Sequence, residues 1–362
     1  MKLIKQDFNI VNQQGFSIKD IKKHIEYCAR ISYKSQDKIT DTSYEKFVSM
    51  LEKRDHARPL EFGTVHLQMY ISDFHKLRDT LCINNMWNDQ WIKYHYVGEL
   101  TYVTTNYRYY LAIIKVFPSA ENDFDPQDDE LYPKRYTVHF ITSRGVMDEF
   151  RTHVGLSHLA ESTRYCNYSN DKFGNQLTFI IPCCVDAIED EYYLTHNDDI
   201  ISSRLFPNMT FGDLPKTPFY FLYSLLIAEK SYFNLLKTEH WTPQQAREVL
   251  PLSVKSELIS CGFEDAWENF MRRRSPKYGD PGAHPMAAEI ADKLCEEFLK
   301  RGFIDEKKVH TNPNIYKLHT DRSIFLYSKK MHQEIYRKLI EQLKTLQIPI
   351  NCDELKFLLK KE

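Results

Sequence analysis

Residues 151–169 read Arg-Thr-His-Val-Gly-Leu-Ser-His-Leu-Ala-Glu-Ser-Thr-Arg-Tyr-Cys-Asn-Tyr-Ser, and the reading of the whole chain turns on them. Just upstream, Tyr136 to Thr142 alternates as a strand does. Ser143-Arg144-Gly145 makes a turn, and Val146 to His153 reads as a short helix. After His153 the helical pattern gives way to a polar run with Ser157, Glu161, Ser162, Thr163, Arg164 and Tyr165. Hydroxyls and a guanidinium in one tight loop suit a phosphorylated ligand, because arginine offers a fixed fork of donors. The same residue types also serve a solvated loop or a helix cap.

Working outward, 362 residues allow a large core in one elaborate domain or two. Hydrophobic residues make up 42% and charged residues 27%, the balance of a globular protein. A net charge of −2 argues against wholesale binding to nucleic acid or a membrane surface, both of which favour a basic excess. No apolar run approaches bilayer-spanning length. The first residues, Met1-Lys2-Leu3-Ile4-Lys5, do not read as a secretory signal. The eight cysteines form no CxxC pair and no metal-ligand pattern, which predicts reduced thiols in a cytoplasmic protein. The chain has 11 glycines and neither GxGxxG nor a P-loop, so any nucleotide is held by side chains and helix ends.

In chain order, helices are expected over Ile18 to Ile31 and Ser43 to Lys53. His56-Ala57-Arg58-Pro59-Leu60-Glu61-Phe62 forms a corner before a strand at Gly63 to Ile71. That corner is either a ligand site or a capped, salt-bridged turn. Residues 72–97 read as an irregular or helical insertion, and Leu100 to Val116 as a second strand pair. The acidic run Ser119 to Glu130 reads as solvated surface. A strand at Leu177 to Ile181 is followed by helices near 218–238, from Thr242, over Gly262 to Arg274 and over His284 to Arg301. The expected fold is α+β, with a mixed or antiparallel sheet and packed helices. The expected division is a domain over 1–301, with an insertion at about 72–132, and a helical C-terminal extension over 302–362, carried by Lys329 to Leu346 and Asp353 to Lys360.

Five blocks together resemble the flavin-dependent thymidylate synthases: Ala29-Arg30-Ile31-Ser32-Tyr33, His56 to Phe62, Ser157 through Glu161-Ser162-Thr163-Arg164-Tyr165, Gln245-Ala246-Arg247-Glu248-Val249-Leu250-Pro251, and Asn269-Phe270 to Arg274 with Ala283-His284-Pro285. They run in family order across about residues 25–300. The resemblance implies transfer of a methylene group from methylenetetrahydrofolate to C5 of dUMP, FAD as hydride source, NADPH as its reductant, and a homotetramer whose sites draw on several chains. By position it implies dUMP contacts at Glu149, Ser162, Thr163, Arg164 and Arg247, with Arg274 as the activating residue. It implies flavin contacts at Ser32, Arg58, Glu61, His153, Asn269 and His284. A guanidinium suits the activating role, since charge drawn onto the uracil carbonyls makes carbon 5 nucleophilic without moving a proton.

The chain departs from the family at one place. The expected Arg-His-Arg triplet falls on Thr152-His153-Val154, so both arginines are absent, and Ala160 stands where Glu or Gln is usual. Arg151 lies one residue early and can substitute through a one-residue slip or a turn rearranged at Gly155. The departure leaves open a divergent relative that makes another C5-modified pyrimidine nucleotide, or a non-catalytic nucleotide-binding paralogue.

Overall fold

The computed structural model describes residues 1–54, 56–162, 166–169, 174–185, 187–194, 200–202, 216–279, 282–309, 315–320 and 323–328. Met1–Val309 forms one compact unit and His310–Glu362 another.

The first unit is built on two four-stranded antiparallel sheets. The strands of the site-bearing sheet are β2 (Asp7–Ile10), β7 (Arg135–Ser143), β12 (Lys255–Phe263) and β8 (Ser157–Ala160), in that spatial order. β7 and β12 pair along nine residues, from Lys255 opposite Ser143 to Phe263 opposite Arg135. The second sheet has β4 (Ile92–Val97), β5 (Leu100–Asn106), β3 (Thr64–Tyr70) and β6 (Phe124–Asp125). Smaller pairs are β1 (Lys2–Ile4) parallel to β9 (Thr178–Ile180), and β10 (Tyr192–Leu194) antiparallel to β11 (Ile200–Ser202).

Helix α1 (Ile18–Tyr33) starts where the Ser17 side chain accepts from the Asp20 amide, and stops where Lys34 turns left-handed at φ 51°. Its stripe of Ile21, Ile25, Cys28 and Ile31 is fully buried or nearly so. Cys28 and Ile31 pack with Leu159, Ile259 and Cys261 on one face of the site-bearing sheet. The opposite face packs Val138, Phe140 and Leu258 against α5 (Arg144–Arg151), α8 (Glu264–Arg274) and α9 (Pro285–Lys300), through Phe150, Trp267, Phe270, Leu294 and Phe298. Burying such side chains stabilises by roughly 1.5–3 kcal/mol each. Helices α2 (Ser43–Lys53), α3 (Ile71–Ile83) and α4 (Tyr107–Val116) cover the second sheet. A third cluster joins Leu3, Phe179, Leu222, Leu226 and Tyr232 around α6 (Lys216–Lys237), with α7 (Pro243–Ala246) following. α10 (Glu306–Val309) ends the unit.

The α+β class expected from sequence is what the chain adopts, as are α1, α2, α5, α6 and α9 to within a few residues. Three local expectations are corrected. In 72–97 the helical alternative holds for α3, and Ile92–Val97 forms a regular strand, β4, instead of irregular chain. Tyr107–Val116 is a helix, because the Asn106 side chain accepts from the Tyr109 amide at 2.9 Å and Tyr107, Tyr110 and Ile113 recur at helical spacing on the buried side. Residues 255–263, where helix was expected only from Gly262, form the longest shared strand of the site sheet. Both of its faces are buried, so Ser256, Glu257 and Ser260 break the apolar run without marking an exposed side.

In the second unit, β13 (Ile315–Thr320) and β14 (Ser323–Ser328) pair as an antiparallel hairpin. The helices expected at 329–346 and 353–360 lie outside the described residues. Among the described residues no helix is long and apolar enough to cross a membrane.

Candidate active site

β7 ends at Ser143, whose hydroxyl accepts from the Val146 amide at 3.3 Å and so caps α5. At the far end of α5, Glu149 meets Arg274, the last residue of α8. Arg274 Nη1 donates to Glu149 Oε2 at 3.0 Å, and Nη2 donates to the Glu149 main-chain oxygen at 3.0 Å. Arg274 Nε is buried with no partner among the described residues. The guanidinium is therefore fixed in orientation yet not saturated, as a group waiting for an acceptor is.

His153 lies beside this pair. It is 7% exposed, its ring stands edge-on to Phe270 at 5.4 Å, and its Nε2 is buried without a partner among the described residues. Burial, then the neighbouring His158, then Arg274 and Arg273 lower its pKa to about 4, so the ring is neutral at pH 7. His158 is held between Ser260 Oγ (2.8 Å) and the His153 main-chain oxygen (3.1 Å), and burial brings it to about 4 as well.

A second group assembles at the corner before β3. Pro59 opens a 3-10 turn over Arg58–Phe62 that buries Glu61. Glu61 Oε1 accepts from Arg108 Nη1 at 2.5 Å, and Oε2 accepts from Ser157 Oγ at 2.6 Å. Its main-chain oxygen accepts from Arg135 Nη2 at 2.8 Å. Arg135 Nη1 reaches Gly63 O and Thr64 Oγ1. Arg58 is exposed and makes no ion pair among the described residues. These residues, with Trp91 and Gly155 to Ser157, line a cleft of about 270 Å³. Gly155 turns the chain there at φ +100°, in the left-handed region that favours glycine. A cleft rimmed by guanidiniums and floored by glycine backbone fits an anionic group such as a cofactor diphosphate.

The other sequence-derived positions are dispersed. Arg247 and Arg144 line a separate recess of about 190 Å³. Arg144 opens α5 and Glu149 lies five residues on, about 7 Å along the axis, so the two arginine groups sit toward opposite ends of one short helix. Arg151 is half exposed and pairs with Asp148 at 3.2 Å. Ser32 is buried and donates to Ala29 O, Asn269 Oδ1 accepts from Arg273 Nε, and the exposed His284 caps α9 through Met286 N. Ser162 is half-buried at the rim of the loop, while Thr163 and Arg164 lie outside the described residues.

Sequence reasoning passed over a buried ionic group next to that loop. Lys34 and Lys255 share Glu161 and Glu257. Lys255 Nζ is 3.3 Å and Lys34 Nζ 3.6 Å from Glu161 Oε2, and both ammoniums touch Glu257. His139 Nε2 lies 2.9 Å from Glu257 Oε2, and Tyr168 donates to Glu161 at 3.3 Å. Burial pushes Glu257 up, but the His139 contact and the two ammoniums outweigh it and hold the carboxyl well below the usual range. The signal available was Lys255 and Glu257 two apart on one strand face; only a strand assignment there reveals it.

Residues 134–301 match the family model described as thymidylate synthase complementing protein. No curated protein matches the chain. Among solved structures, a UMP/dUMP methylase PolB from Streptomyces cacaoi, bound with 5-Br dUMP, is 13% identical with a TM-score of 0.37, over 85% of this chain and 95% of that one. Thymidylate Synthase X (ThyX) from Helicobacter pylori, with FAD and dUMP, is 12% identical with a TM-score of 0.32, over 80% and 92%. The matched segment runs from just before β7 to the end of α9, and so contains the Glu149–Arg274 pair, His153 and the loop after β8. That segment, rather than the whole chain, carries the likeness to the thymidylate synthase complementing family.

Proposed function

We propose that the chain methylates dUMP to dTMP, taking the carbon from methylenetetrahydrofolate. The observation that carries this reading is the oriented, unsaturated guanidinium of Arg274, braced by Glu149 inside the family-matched segment. Carbon 5 of uracil becomes nucleophilic when negative charge is drawn onto the ring carbonyls. A fixed guanidinium favours that charge without reorganising as it develops. Glu149 contacts the nucleotide and sets the angle of the fork. Ser162, Thr163, Arg164 and Arg247 hold the phosphate dianion, with Arg247 acting across a homotetramer interface.

The methylene carbon needs one hydride to become methyl, and FAD, reduced by NADPH, supplies that hydride when bound. Ser32, Arg58, Glu61, Arg151, His153, Asn269 and His284 are the positions proposed to hold it. A neutral His153 with a bare ring nitrogen offers a hydrogen bond without adding charge beside Arg274. No thiolate nucleophile is needed, and Cys166 and Cys183 are poorly suited to be one. Burial and the Glu161 charge push Cys166 up to about 12, and burial and Cys184 raise Cys183.

The missing triplet arginines favour a second reading, a non-catalytic nucleotide-binding paralogue. One experiment decides. Purified protein is loaded with FAD, incubated with dUMP, methylenetetrahydrofolate and NADPH, and the nucleotide product is weighed by mass spectrometry. A mass gain of one methyl in place of hydrogen supports the proposal. Unmodified dUMP with FAD bound, or a different increment, overturns it.

A further inference from the structure

We infer that Arg58, Arg108 and Arg135 form a diphosphate-binding cleft that replaces the arginines absent from the 152–154 triplet. The inference rests on the proposed function for its biological ligand, FAD, though not for its chemistry. Three guanidiniums reach the cleft from three elements: the 3-10 turn, α4 and β7. Against them stands the carboxylate of Glu61, leaving a formal charge of +2 around the opening. A diphosphate diester carries two negative charges, so the cleft and that group neutralise each other.

Arg58 and Arg108 keep donors for a ligand, while Arg135 anchors the cleft. Arg58 makes no ion pair among the described residues. Arg108 commits Nη1 to Glu61 and is 41% exposed at the side chain, with its guanidinium 5.4 Å over Trp91. Arg135 is the fixed member, tied to Glu61 O, Gly63 O and Thr64 Oγ1. Ser157, which follows the altered triplet, donates to the same Glu61 that holds Arg108. The turn that lost its own cations is thus hydrogen-bonded to a carboxylate that positions another. Val154, in the place of a triplet arginine, is 70% exposed and forms part of the cleft wall. Arg151, the alternative substitute, turns to Asp148.

The test uses the full chain and inorganic pyrophosphate as probe, followed by isothermal titration calorimetry, with orthophosphate and dUMP as controls. FAD uptake is read separately by flavin fluorescence. Wild type is expected to bind pyrophosphate more tightly than orthophosphate, and pyrophosphate to compete with FAD. Arg58→Gln should weaken pyrophosphate and FAD by about tenfold and leave dUMP binding unchanged. Arg108→Gln, checked for folding by circular dichroism, should do the same. Pyrophosphate binding that Arg58→Gln weakens, in a wild type that takes up no FAD, keeps the cleft and sinks the proposed reaction. Wild type that ignores pyrophosphate, or binds orthophosphate as tightly, overturns the cleft. So does unchanged FAD and pyrophosphate binding in Arg58→Gln, which leaves the proposed reaction standing.

Discussion

Arg274 grips Glu149 twice, through the carboxylate and through the main-chain oxygen, each at 3.0 Å, while its own Nε is buried with no partner among the described residues. The grip orients the guanidinium. Arg274→Ala is therefore expected to lower kcat/KM for dUMP methylation by roughly 10²–10³-fold, the usual cost of deleting one preorganised donor. The fold should persist, because the lost contacts lie at the end of α8 and not in its Trp267–Phe270 core. Turnover assays beside a thermal melt check both parts. Normal turnover would remove Arg274 from the chemistry.

The Lys34–Lys255–Glu161–Glu257 group is balanced in charge and mostly buried, so removing one cation strands a carboxylate. Lys255→Met is expected to destabilise by about 3–5 kcal/mol, as broken buried pairs do. Because Lys34 and Lys255 share both carboxylates, Lys34→Met and the double variant should be non-additive. Urea unfolding of the four proteins measures the coupling. Strict additivity would mean the two lysines act independently, against the shared geometry.

How much of this was legible in the sequence follows from where each residue's partners lie. Helices α1 and α5 announce themselves because one face is buried, so periodicity and caps are local signals. β12 is covered on both faces, and its polar Ser256, Glu257 and Ser260 find partners only after the sheet forms. Glu149 and Arg274 were each singled out by position, but their mutual grip spans 125 residues and leaves no local trace. Arg108 and Arg135 carry no motif at all. They enter the site because Glu61 and its neighbours turn acceptors toward them.

Four buried histidines make the protein acid-sensitive. His24, His66, His153 and His158 are each lowered to about 4, in every case chiefly by burial. Near pH 5 the unfolded chain protonates them and the folded chain does not, so the proton favours unfolding. Their contribution is fully present above pH 6.5 and is lost as pH falls from there toward 4. Melting temperature should therefore drop steeply over that window. His66 is stacked between Phe16 and Tyr132 with centroids at 4.2 and 4.0 Å, so His66→Phe preserves the stack and removes one titration. That variant should show a shallower fall; a slope identical to wild type would contradict the assignment.

Gly155 links the two groups of the site, since it stands between His153 and Ser157 and bends the chain at φ +100°. A Cβ there would sit 3.3 Å from Ala266 Cβ, on the helix that ends in Arg274. Gly155→Ala is expected to cost about 1–3 kcal/mol from the left-handed backbone alone. The turn can relieve that strain only by moving, and movement shifts Ser157 away from Glu61 and releases Arg108. The variant should thus lose FAD affinity by more than its loss of stability accounts for, measured well below its melting temperature. Gly145→Ala is the matched control, because the nearest atom to its added methyl is 3.7 Å away and its backbone is not left-handed. If both variants bind FAD equally, the turn at Gly155 does not govern the cleft.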